Sequence, residues 1–363
     1  MNILFITAGM GYGGAEKMLA FAANSLSRRG HSVSVVNLNM TSRELCQEID
    51  NQVTVYNIDG KKPGFRKLGC VKEIGRISKG VQAELLIGFT MYPNLYAALV
   101  GKRLGIPAIM SERGDPNRTF GKRLLEKLLI AVINSCTGGI FQTEAARQFY
   151  GKKLQKNGVV IPNPIFMHST VPEVTGDQRK KTVVSVGRLE NLQKRYDVML
   201  EAFRIFHQKH PEYSLKIYGD GPDEQQIRCW AQTKGIAQQV HFMGLTRNTM
   251  QDIAHDGMFL ITSDFEGISN ALLEAMAVGL PCVSTDHTPG GARLLITDHE
   301  NGLLAPVADP EKLATAMCEF AEDPQLAERC AQKAKEVTDR FAPERIADMW
   351  ENYCKQATKR TFT

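Results

Sequence analysis

Short apolar segments rich in β-branched residues alternate with longer amphipathic segments along nearly the whole chain. This alternation is typical of parallel α/β units, in which each strand is followed by a helical crossover. In the first half it predicts strands at Ile3–Thr7, Val33–Leu38, Val53–Ile58, Leu85–Phe89, Ala108–Ser111, Gly139–Gln142 and Val159–Ile161. In the second half it predicts strands at Thr182–Gly187, Ser214–Tyr218, Val240–Phe242, Met258–Ile261, Pro281–Ser284 and Gly302–Leu304. We therefore expect an α/β protein built on parallel strands.

The alternation breaks at Ile161-Pro162-Asn163-Pro164. The polar segment that follows, at 169–181, has the composition of an interdomain linker. At 363 residues the chain is also longer than one hydrophobic core usually supports. The sequence therefore predicts two domains that meet at a cleft, with the boundary between residues 168 and 169.

Composition excludes several classes of protein. With 43% hydrophobic and 23% charged residues, the chain has the balance of a soluble globular protein. Its eight cysteines include no C-x-x-C pair, which argues against a zinc site and a disulfide framework. The chain begins with the apolar run Asn2–Ala8 without a basic leader, and no stretch approaches the roughly 20 apolar residues of a membrane span. We expect a cytoplasmic protein.

Charge is distributed unevenly along the chain. Residues 1–165 contain 22 Lys and Arg against 11 Asp and Glu, so the remainder carries −6 of the total net charge of +5. A basic first half favours contact with anionic partners such as phospholipid head groups, although a solvated basic surface has the same composition.

The basic residues are densest between Lys61 and Lys79, a segment that contains a single acid, Glu73. The seven basic residues are Lys61, Lys62, Arg66, Lys67, Lys72, Arg76 and Lys79, and they are interleaved with Phe65, Leu68, Val71, Ile74 and Ile77. The segment could rest on an anionic bilayer. Alternatively, its apolar residues pack inward as part of a core helix.

The first predicted strand runs into a glycine turn at 9–14, and a helix is expected from about Ala15. Its G-x-G-x-x-G spacing is that of a dinucleotide fingerprint, but the second strand ends in Asn37-Leu38-Asn39, without the acid that holds a nicotinamide ribose. Glycine lets the backbone approach a ligand, and a helix N-terminus favours negative charge. A tight turn without a ligand is the alternative.

Two glutamates eight positions apart give a more specific signal. Glu266 follows the strand Met258–Ile261, and Glu274 lies about one turn into a helix expected from Ser269 or Asn270. The amides at this helix N-terminus would be those of Gly267, Ile268, Ser269 and Asn270. This arrangement suits a ligand with two hydroxyl-bearing parts joined by an anion, whereas a helix with two exposed acids needs no glycine before its cap.

Two further loops follow predicted strands in the second half. The loop after Val186 contains Arg188 and Lys194, which could converge on one diphosphate or could simply be solvated. The loop after Tyr218 begins at Gly219, is rich in glycine and contains no acid-x-acid triplet of the kind that binds a metal.

Six segments in order along the chain resemble the retaining glycosyltransferases of family 4, in the form found in bacterial surface-glycan enzymes. They are G-G-A-E at 13–16, I-P-N-P at 161–164, V-G-R-L with Q-K-x-Y-D within 186–197, G-D-G-P at 219–222, E-G-x-S-N-A-L-L-E-A-M-A at 266–277 and N-G-L-L at 301–304. The resemblance implies the GT-B fold, an α/β architecture of two Rossmann-like domains whose parallel sheets face each other across a cleft. Residues 1–168 would form the acceptor-side domain, 169–343 the donor-binding domain, and a C-terminal helix at about 344–363 would pack back on the first.

The resemblance also implies roles for individual residues. Arg188 and Lys194 would hold the donor diphosphate, Glu274 the ribose hydroxyls, and Glu266 the transferred sugar. With Glu266, Arg188 and Lys194 would form the catalytic group. The other donor-binding residues would be Gly219, Gly267, Ile268, Ser269 and Asn270, with Gly13 and Gly14 closing the cleft from the first domain.

The chain departs from the family pattern in two places. Many members have glycine after the lysine, where this chain has Arg195. Many also have a histidine in the first-domain loop, whereas residues 111–115 contain none. A role of Glu112, Arg113 and Asp115 in handling the acceptor is therefore only a hypothesis, and a surface salt-bridge cluster is the alternative.

The expected chemistry needs no metal and no other cofactor, because cations and helix amides would stabilise the departing diphosphate. The resemblance implies reaction on one face of the sugar, with the leaving phosphate helping to take the proton of the acceptor. We expect a UDP-hexose or UDP-N-acetylhexosamine as donor, with a GDP-sugar as the alternative. The expected acceptor is a glycan, lipid-linked and reached at the cytoplasmic face of the membrane, and no nucleic-acid partner is expected. Two other functional classes remain, a nicotinamide dehydrogenase and a non-catalytic sugar-nucleotide-binding module.

Overall fold

The computed structural model describes residues 1–11, 13–39, 48–59, 68–120, 124–167 and 171–360. The chain divides into two compact units. The first contains Met1–Asn163 together with Glu344–Thr363, and the second is Pro164–Pro343. The boundary between Asn163 and Pro164 lies five residues before the predicted one at 168/169 and within the Pro-containing run at 161–164.

The first unit contains the strands β1 (Asn2–Thr7), β2 (Ser32–Asn37), β3 (Thr54–Asn57), β4 (Leu85–Phe89), β5 (Ala108–Ser111), β6 (Gly138–Phe141) and β7 (Val159–Val160). They form a parallel sheet in the order β3-β2-β1-β4-β5-β6-β7. In the central strand β1, Phe5 pairs with Val35 of β2 and with Ile87 of β4. The strand order reverses after β3, so the carboxyl ends of β1 and β4 form the topological switch point of this sheet.

The second unit contains the strands β8 (Thr182–Val186), β9 (Ser214–Tyr218), β10 (Val240–Gly244), β11 (Met258–Ile261), β12 (Cys282–Thr285) and β13 (Leu303–Ala305). They form a second parallel sheet in the order β10-β9-β8-β11-β12-β13. Here the order reverses after β10. The switch point of the second unit therefore lies at the carboxyl ends of β8 and β11.

Helices connect the strands and cover the sheets. In the first unit they are α1 (Gly14–Arg28), α2 (Leu68–Gly80), α3 (Met91–Leu104), α4 (Pro116–Thr119), α5 (Leu124–Ile133), α6 (Glu144–Phe149) and α7 (Lys152–Asn157). In the second unit they are α8 (Asn191–Lys194), α9 (Tyr196–Lys209), α10 (Glu224–Thr233), α11 (Thr249–Ile253), α12 (Asn270–Ala277), α13 (Gly291–Leu295), α14 (Pro310–Glu322), α15 (Pro324–Ala334) and α16 (Val337–Arg340), with a short 3₁₀ helix at Gly176–Gln178. The last helix of the chain is α17 (Pro343–Ala357).

Local sequence explains where several of these helices begin. Asp309 and Asp323 each precede a proline, and each side chain accepts a hydrogen bond of 2.9 Å from the amide three residues later. An aspartate at the N-cap followed by proline is a favourable helix start, because proline lacks an N–H that would otherwise be unpaired. Ser269 caps α12 in the same manner.

All thirteen predicted strands are confirmed; four have the predicted bounds, and the ends of the others shift by at most two residues. The strand predicted at Pro281–Ser284 is observed at Cys282–Thr285, in register with Leu303–Ala305. The strand predicted at Val240–Phe242 continues to Gly244. Its register with β9 shifts after Phe242, and Gly244 then pairs with Tyr218. Such ends depend on hydrogen bonds to neighbouring strands, which are remote in sequence.

Helix α17 belongs to the first unit, although it follows the whole of the second unit in sequence. The indole ring of Trp350 is fully buried and stacks on Phe89 with 5.8 Å between ring centroids. The Tyr353 hydroxyl accepts a hydrogen bond from the Gly139 amide and donates one to the Asn157 carbonyl. Arg29 forms ion pairs with three carboxylates of the α17 segment, those of Glu344, Asp348 and Glu351.

Helix α2 shows what becomes of the basic segment at 61–79, of which residues 61–67 lie outside the described residues. Its apolar residues Cys70, Ile74 and Ile77 are buried in the core of the first unit, and Val71 packs against the same core. Its basic residues Lys72, Arg76 and Lys79 are exposed. The inward-packing alternative is therefore correct for Cys70, Val71, Ile74 and Ile77, and among the described side chains of α2 the basic ones remain available to a partner.

Removal of the Trp350 side chain tests the attachment of α17. We expect Trp350→Ala to destabilise the first unit by about 3–5 kcal/mol, because the truncation leaves a cavity between α17 and the sheet. Urea unfolding followed by circular dichroism measures the loss. The control Gln356→Ala alters an exposed position of the same helix and should change stability by less than about 0.5 kcal/mol. Equal midpoints for the two variants would contradict the packing role of Trp350.

Candidate functional site

The loops that carry the predicted donor residues gather at the switch point of the second unit. Lys194 comes after β8, and Glu266 comes after β11, the strand next to it. The loops after β9 and β12 flank this pair, because those strands are the outer neighbours of β8 and β11. Side chains from distant parts of the sequence thus converge where open parallel sheets usually bind ligands.

Lys194 and Glu266 form an ion pair at the centre of the site. The Lys194 Nζ donates to Glu266 Oε1 at 2.7 Å, and the two side chains are only 13% and 16% exposed. The second carboxylate oxygen accepts from the Ser263 hydroxyl at 3.1 Å. Burial raises the pKa of the Glu266 carboxyl, but attraction to Lys194 and His287 and the hydrogen bonds from Lys194 and Ser263 outweigh it, so the pKa lies below its usual value.

The backbone at Lys194 is tied to the strand that precedes Glu266. The Asp264 amide donates to the Gln193 carbonyl at 3.0 Å, and the Thr262 hydroxyl donates to the Lys194 carbonyl at 2.8 Å. The Lys194 side chain also lies against Gly187, where a Cβ would be 3.4 Å from the Lys194 Cε. The ion pair is therefore held by main-chain contacts as well as by its own charges.

Arg195 occupies the position where many family members have glycine. Its φ of 54° lies in the left-handed region, which costs a non-glycine residue roughly 1–2 kcal/mol. Its guanidinium bonds Asp197 at 2.9 Å and Asp264 at 2.8 Å. These ion pairs offset the strain, and they link the turn between α8 and α9 to the Glu266 loop, so the loop retains a conformation typical of glycine.

Helix α12 begins at Asn270, as the sequence predicts. Ser269 is the N-cap and accepts from the Leu272 amide at 3.3 Å. Gly267, Ile268 and Ser269 are buried, whereas Asn270 and Glu274 are half-buried. Glu274 is the fifth residue of the helix, so the structure places both predicted glutamates next to the helix N-terminus.

The predicted residues Arg188 and Gly219 differ in their surroundings. The Arg188 side chain is 69% exposed, and its closest carboxylate oxygen, on Glu190, lies at 3.5 Å. Gly219 has a φ of +138°, and a Cβ there would lie 1.9 Å from the Gly187 carbonyl oxygen. Gly219 is therefore required by the packing of the loops after β8 and β9, independently of any ligand.

In the first unit, Gly13 and Gly14 form the N-terminus of α1, with Gly13 as the N-cap. The carboxylate of Glu16 lies over this turn, so a Cβ on Gly13 would lie 2.1 Å from Glu16 Oε2. Burial raises the pKa of Glu16 above its usual value. The residue at the end of β2, Asn37, hydrogen-bonds two other asparagine side chains.

The three residues suggested for the acceptor side have structural partners. Glu112 is 6% exposed and accepts from the Tyr150 hydroxyl at 2.6 Å and from two main-chain amides at 3.0 Å. Asp115 is 4% exposed and caps α4. Arg113 lies over the rings of Phe89 and Trp350, and burial lowers its pKa to about 9. The alternative of a surface salt-bridge cluster is wrong, because both carboxylates are buried.

The sequence analysis missed His287, which follows β12 and precedes Thr288, whose carbonyl accepts from the Glu266 amide at 2.8 Å. No spacing rule links a histidine 21 positions downstream to Glu266; only the pairing of β11 with β12 brings the two loops together.

A second feature unseen in the sequence is the grouping of His210, Cys318 and Glu322, whose ligand atoms lie within 4.8 Å of one another. It lies beyond the carboxyl end of α9, whereas Lys194 precedes the start of that helix. The His210 ring already contacts the Glu322 carboxylate at 3.2 Å.

Two family models match the chain in succession. "Glycosyltransferase Family 4" matches residues 12–167, and "Glycosyl transferases group 1" matches residues 170–337. The chain belongs to glycosyltransferase family 4. The interpretation as a nicotinamide dehydrogenase, which depended on residues 9–14 alone, is not supported by these matches.

Relatives of this family-4 glycosyltransferase cover nearly all of it. An "uncharacterized glycosyltransferase" of Haemophilus influenzae is 25% identical over 344 residues, which are 93% of this chain and 95% of the relative. A Campylobacter jejuni protein is 23% identical over 362 residues, 96% of this chain and 97% of its own. Its name is GalNAc-alpha-(1->4)-GalNAc-alpha-(1->3)-diNAcBac-PP-undecaprenol alpha-1,4-N-acetyl-D-galactosaminyltransferase.

Among solved structures, HepE of Anabaena in complex with UDP has a TM-score of 0.79 and 17% identity, with 98% of this chain and 100% of HepE covered. The same protein has also been solved with UDP-glucose. The likeness shows that the family-4 glycosyltransferase described here has the GT-B fold.

The contribution of the Lys194–Glu266 ion pair to folding can be tested by measuring the free energy of unfolding of variants. We expect Lys194→Met to destabilise the second unit by about 3 kcal/mol, because it leaves the buried Glu266 carboxylate without its cation. Adding Glu266→Gln should recover most of the lost free energy of unfolding, since the unpaired charge is then gone. Urea unfolding measures both variants. The control Arg188→Met alters an exposed cation, and a loss as large as that of Lys194→Met would contradict the buried pair.

Proposed function

We propose that this protein is a retaining, metal-independent glycosyltransferase that moves a hexose or N-acetylhexosamine from a UDP-sugar to a hydroxyl of a lipid-linked glycan in bacterial surface-glycan assembly. The observation that carries the proposal is the buried Lys194–Glu266 pair at the switch point of the second unit, beside the N-terminus of α12. A cation, a carboxylate and the N-terminal amides of a helix lie at one place, and they match the three parts of a sugar nucleotide.

In this proposal the diphosphate lies between Lys194 and the amides at 267–270. The helix N-terminus favours its negative charge, and Lys194 adds a full positive charge from the adjacent loop. Arg188 is exposed, and its ion pair with Glu190 is long at 3.5 Å, so we propose that its planar guanidinium turns to bind the diphosphate from outside. Gly219 allows the loop after β9 to pack against the Gly187 carbonyl in the loop after β8.

The two glutamates bind the two hydroxyl-bearing parts of the donor. Glu274, one turn into α12, accepts from the ribose hydroxyls, and Glu266, in the loop, accepts from the transferred sugar. The low pKa of Glu266 supports this assignment, because an ionised carboxylate is an acceptor only. Gly13 and Gly14 of the first unit are proposed to contact the donor through their main chain.

Cleavage of the anomeric bond develops negative charge on the leaving diphosphate and positive charge on the sugar. Lys194, Arg188 and the α12 amides stabilise the first of these charges, which is the task of a divalent metal in other transferases. The acceptor hydroxyl is proposed to attack from the face of the sugar that the diphosphate leaves. The leaving phosphate then lies close enough to help accept the proton of that hydroxyl.

The choice of UDP and of a lipid-linked acceptor is supported by similar proteins. HepE is a structural neighbour that binds UDP and UDP-glucose, and the Campylobacter relative is named for an undecaprenol-linked glycan. Glu112, Arg113 and Asp115 are proposed to shape the acceptor side from within, through the contacts that hold their loop.

A lipid-linked acceptor calls for contact with a bilayer, and the first unit offers a basic groove for it. The groove lies between α2 and α3 and is lined by Lys72, Arg76, Lys79 and Arg103, together with Val71, Gly75, Val100 and Leu104. Each basic residue near an anionic surface contributes about 1 kcal/mol. We propose that this groove receives lipid head-group phosphates at the cytoplasmic leaflet.

An apolar stripe on α5 supports the proposed contact of the first unit with a bilayer. Leu124, Leu125 and Leu128 are 75%, 57% and 57% exposed and lie on one side of the helix, with exposed Lys127 beside them. Helix α3 packs against both α2 and α5, so the stripe and the groove belong to one helical layer. Among the described residues, no helix combines the length and apolar character needed to cross a bilayer.

Donor binding can be tested with a thermal-shift panel of UDP, GDP and their hexose and N-acetylhexosamine derivatives. We expect UDP-sugars to stabilise the protein most, by roughly 2.7 kcal/mol at 100 times the dissociation constant. Glu274→Gln should weaken UDP binding about ten- to hundredfold, because a neutral amide replaces an ionised double acceptor. The matched control Glu311→Gln, at an exposed position of α14, should bind normally.

Turnover of the bound sugar nucleotide, with an undecaprenyl-diphosphate glycan as acceptor, decides between an enzyme and a non-catalytic binding module. The assay includes an arm in excess EDTA, where activity should persist. Loss of activity that Mg²⁺ or Mn²⁺ restores would overturn the metal-free mechanism, and wild-type UDP affinity in Glu274→Gln would refute the ribose assignment.

Sedimentation with phosphatidylglycerol or phosphatidylcholine vesicles tests the membrane surface. We expect binding to the anionic vesicles only, weakened by salt, and reduced at least tenfold in Leu125→Ser/Leu128→Ser. The matched control Leu245→Ser removes an equally exposed leucine of the second unit and should bind as the wild type does. Binding that ignores lipid charge, or no binding, would leave a soluble acceptor as the better account.

A further inference from the structure

The ring of His287 is an unusual feature of the second unit. The residue is 1% exposed, and neither ring nitrogen has a hydrogen-bond partner among the residues that the structure describes. A buried polar group without a partner costs about 1–3 kcal/mol. Native proteins satisfy most such groups, so one that remains unsatisfied calls for an explanation.

His287 is held at a fixed position relative to Glu266. The Glu266 amide donates to the carbonyl of Thr288, the next residue after His287, at 2.8 Å. On the other side, the Thr285 hydroxyl donates to the Ser263 carbonyl at 2.6 Å. At Gly291 a Cβ would lie 1.5 Å from the Gly267 carbonyl oxygen, so the two loops are in direct contact there too.

Three charged groups act on the imidazole: Glu266, Lys194 and Asp286. Asp286 is engaged by Arg293, whose Nε donates to it at 2.7 Å. Burial lowers the pKa of His287 below its usual value; Glu266, the main chain at Thr288 and Asp286 act to raise the pKa, and Lys194 acts to lower it further. In this structure Lys194 donates to the Glu266 carboxylate, and the ring of His287 is a second potential donor in the adjoining loop.

The proposed function gives Lys194 a second anion to bind, the diphosphate of the donor. We propose that His287 is a positioning residue. It becomes the hydrogen-bond partner of Glu266 when Lys194 turns from Glu266 to bind the donor diphosphate. The inference rests on the proposed function. A ring N–H would then donate to the carboxylate, which keeps Glu266 ionised and oriented as an acceptor for a hydroxyl of the transferred sugar.

Nuclear magnetic resonance can test the coupling without any donor. The pKa of each histidine is followed in protein labelled with ¹³C-histidine, in the wild type and in Lys194→Met. We expect the His287 pKa to rise in Lys194→Met, because Glu266 then attracts the ring without competition from the lysine. Adding Glu266→Gln should abolish the rise. A His287 pKa that is unchanged in Lys194→Met, or that rises equally without Glu266, would overturn the proposal.

Donor binding provides the functional test. His287→Leu removes both ring nitrogens at similar volume, whereas His287→Asn and His287→Gln each retain one N–H near a ring-nitrogen position. The probes are UDP and whichever of UDP-glucose, UDP-N-acetylglucosamine and UDP-N-acetylgalactosamine stabilises the wild type most. We expect His287→Leu to bind UDP normally but to lose about ten- to hundredfold in kcat/KM for the UDP-sugar, with partial recovery in one amide variant.

Stability separates this role from a structural one. Because the ring nitrogens are unsatisfied, His287→Leu should unfold at the same or a higher urea concentration than the wild type. The matched control His207→Gln changes a half-buried imidazole at the far end of α9, bonded to the Tyr213 carbonyl, and should leave kcat/KM unchanged. Full activity in His287→Leu, or a loss of activity that only parallels a loss of stability, would overturn this inference. UDP binding by the wild type would in that case still support the proposed function. If neither UDP nor a UDP-sugar binds the wild type, the proposed function fails and this inference with it.

Discussion

The buried ion pair between Lys194 and Glu266 is the interaction on which the candidate site depends. Two charges that are 13% and 16% exposed are stable there only because each is paired and tied to fixed neighbours. Removing either one leaves an uncompensated charge in a poorly solvated place. The pair also places a cation and a carboxylate of lowered pKa at the same point, and the proposed donor site is built on these two groups.

The pair exists because of the strand order of the second sheet. Strand β8 lies between β9 and β11, so the loops after β8 and β11 leave the sheet side by side although about 70 residues separate them in sequence. The Arg195–Asp264 bond and the Asp264–Gln193 main-chain bond then fix the distance between these loops. In the proposed function, the donor would meet a prearranged site, and little ordering entropy would remain to be lost on binding.

Close main-chain packing explains several glycines that a functional interpretation alone would assign to the ligand. Gly219 lies against the Gly187 carbonyl, and Gly291 against that of Gly267. These contacts stack the loops after β8, β9, β11 and β12 into one surface. Arg195 shows the converse, because it adopts a backbone conformation that favours glycine and offsets the strain with two ion pairs. The same loop geometry is thus reached with a different residue.

The sequence by itself determined the strand–helix alternation, the positions of thirteen strands, the start of α12 at its Ser269 cap and the family, because hydrophobic period, capping and turn chemistry are local properties. It also indicated both glutamates and both cations of the site. The tertiary structure decided which of them touch: Lys194 binds Glu266, Arg188 remains exposed, and Glu112 and Asp115 are buried in the framework. It alone brought His287 to Glu266 and buried the apolar face of α2 while leaving leucines of α5 exposed. These outcomes depend on which strands pair and which helix faces meet, and such contacts join residues too distant in sequence for any local pattern to specify.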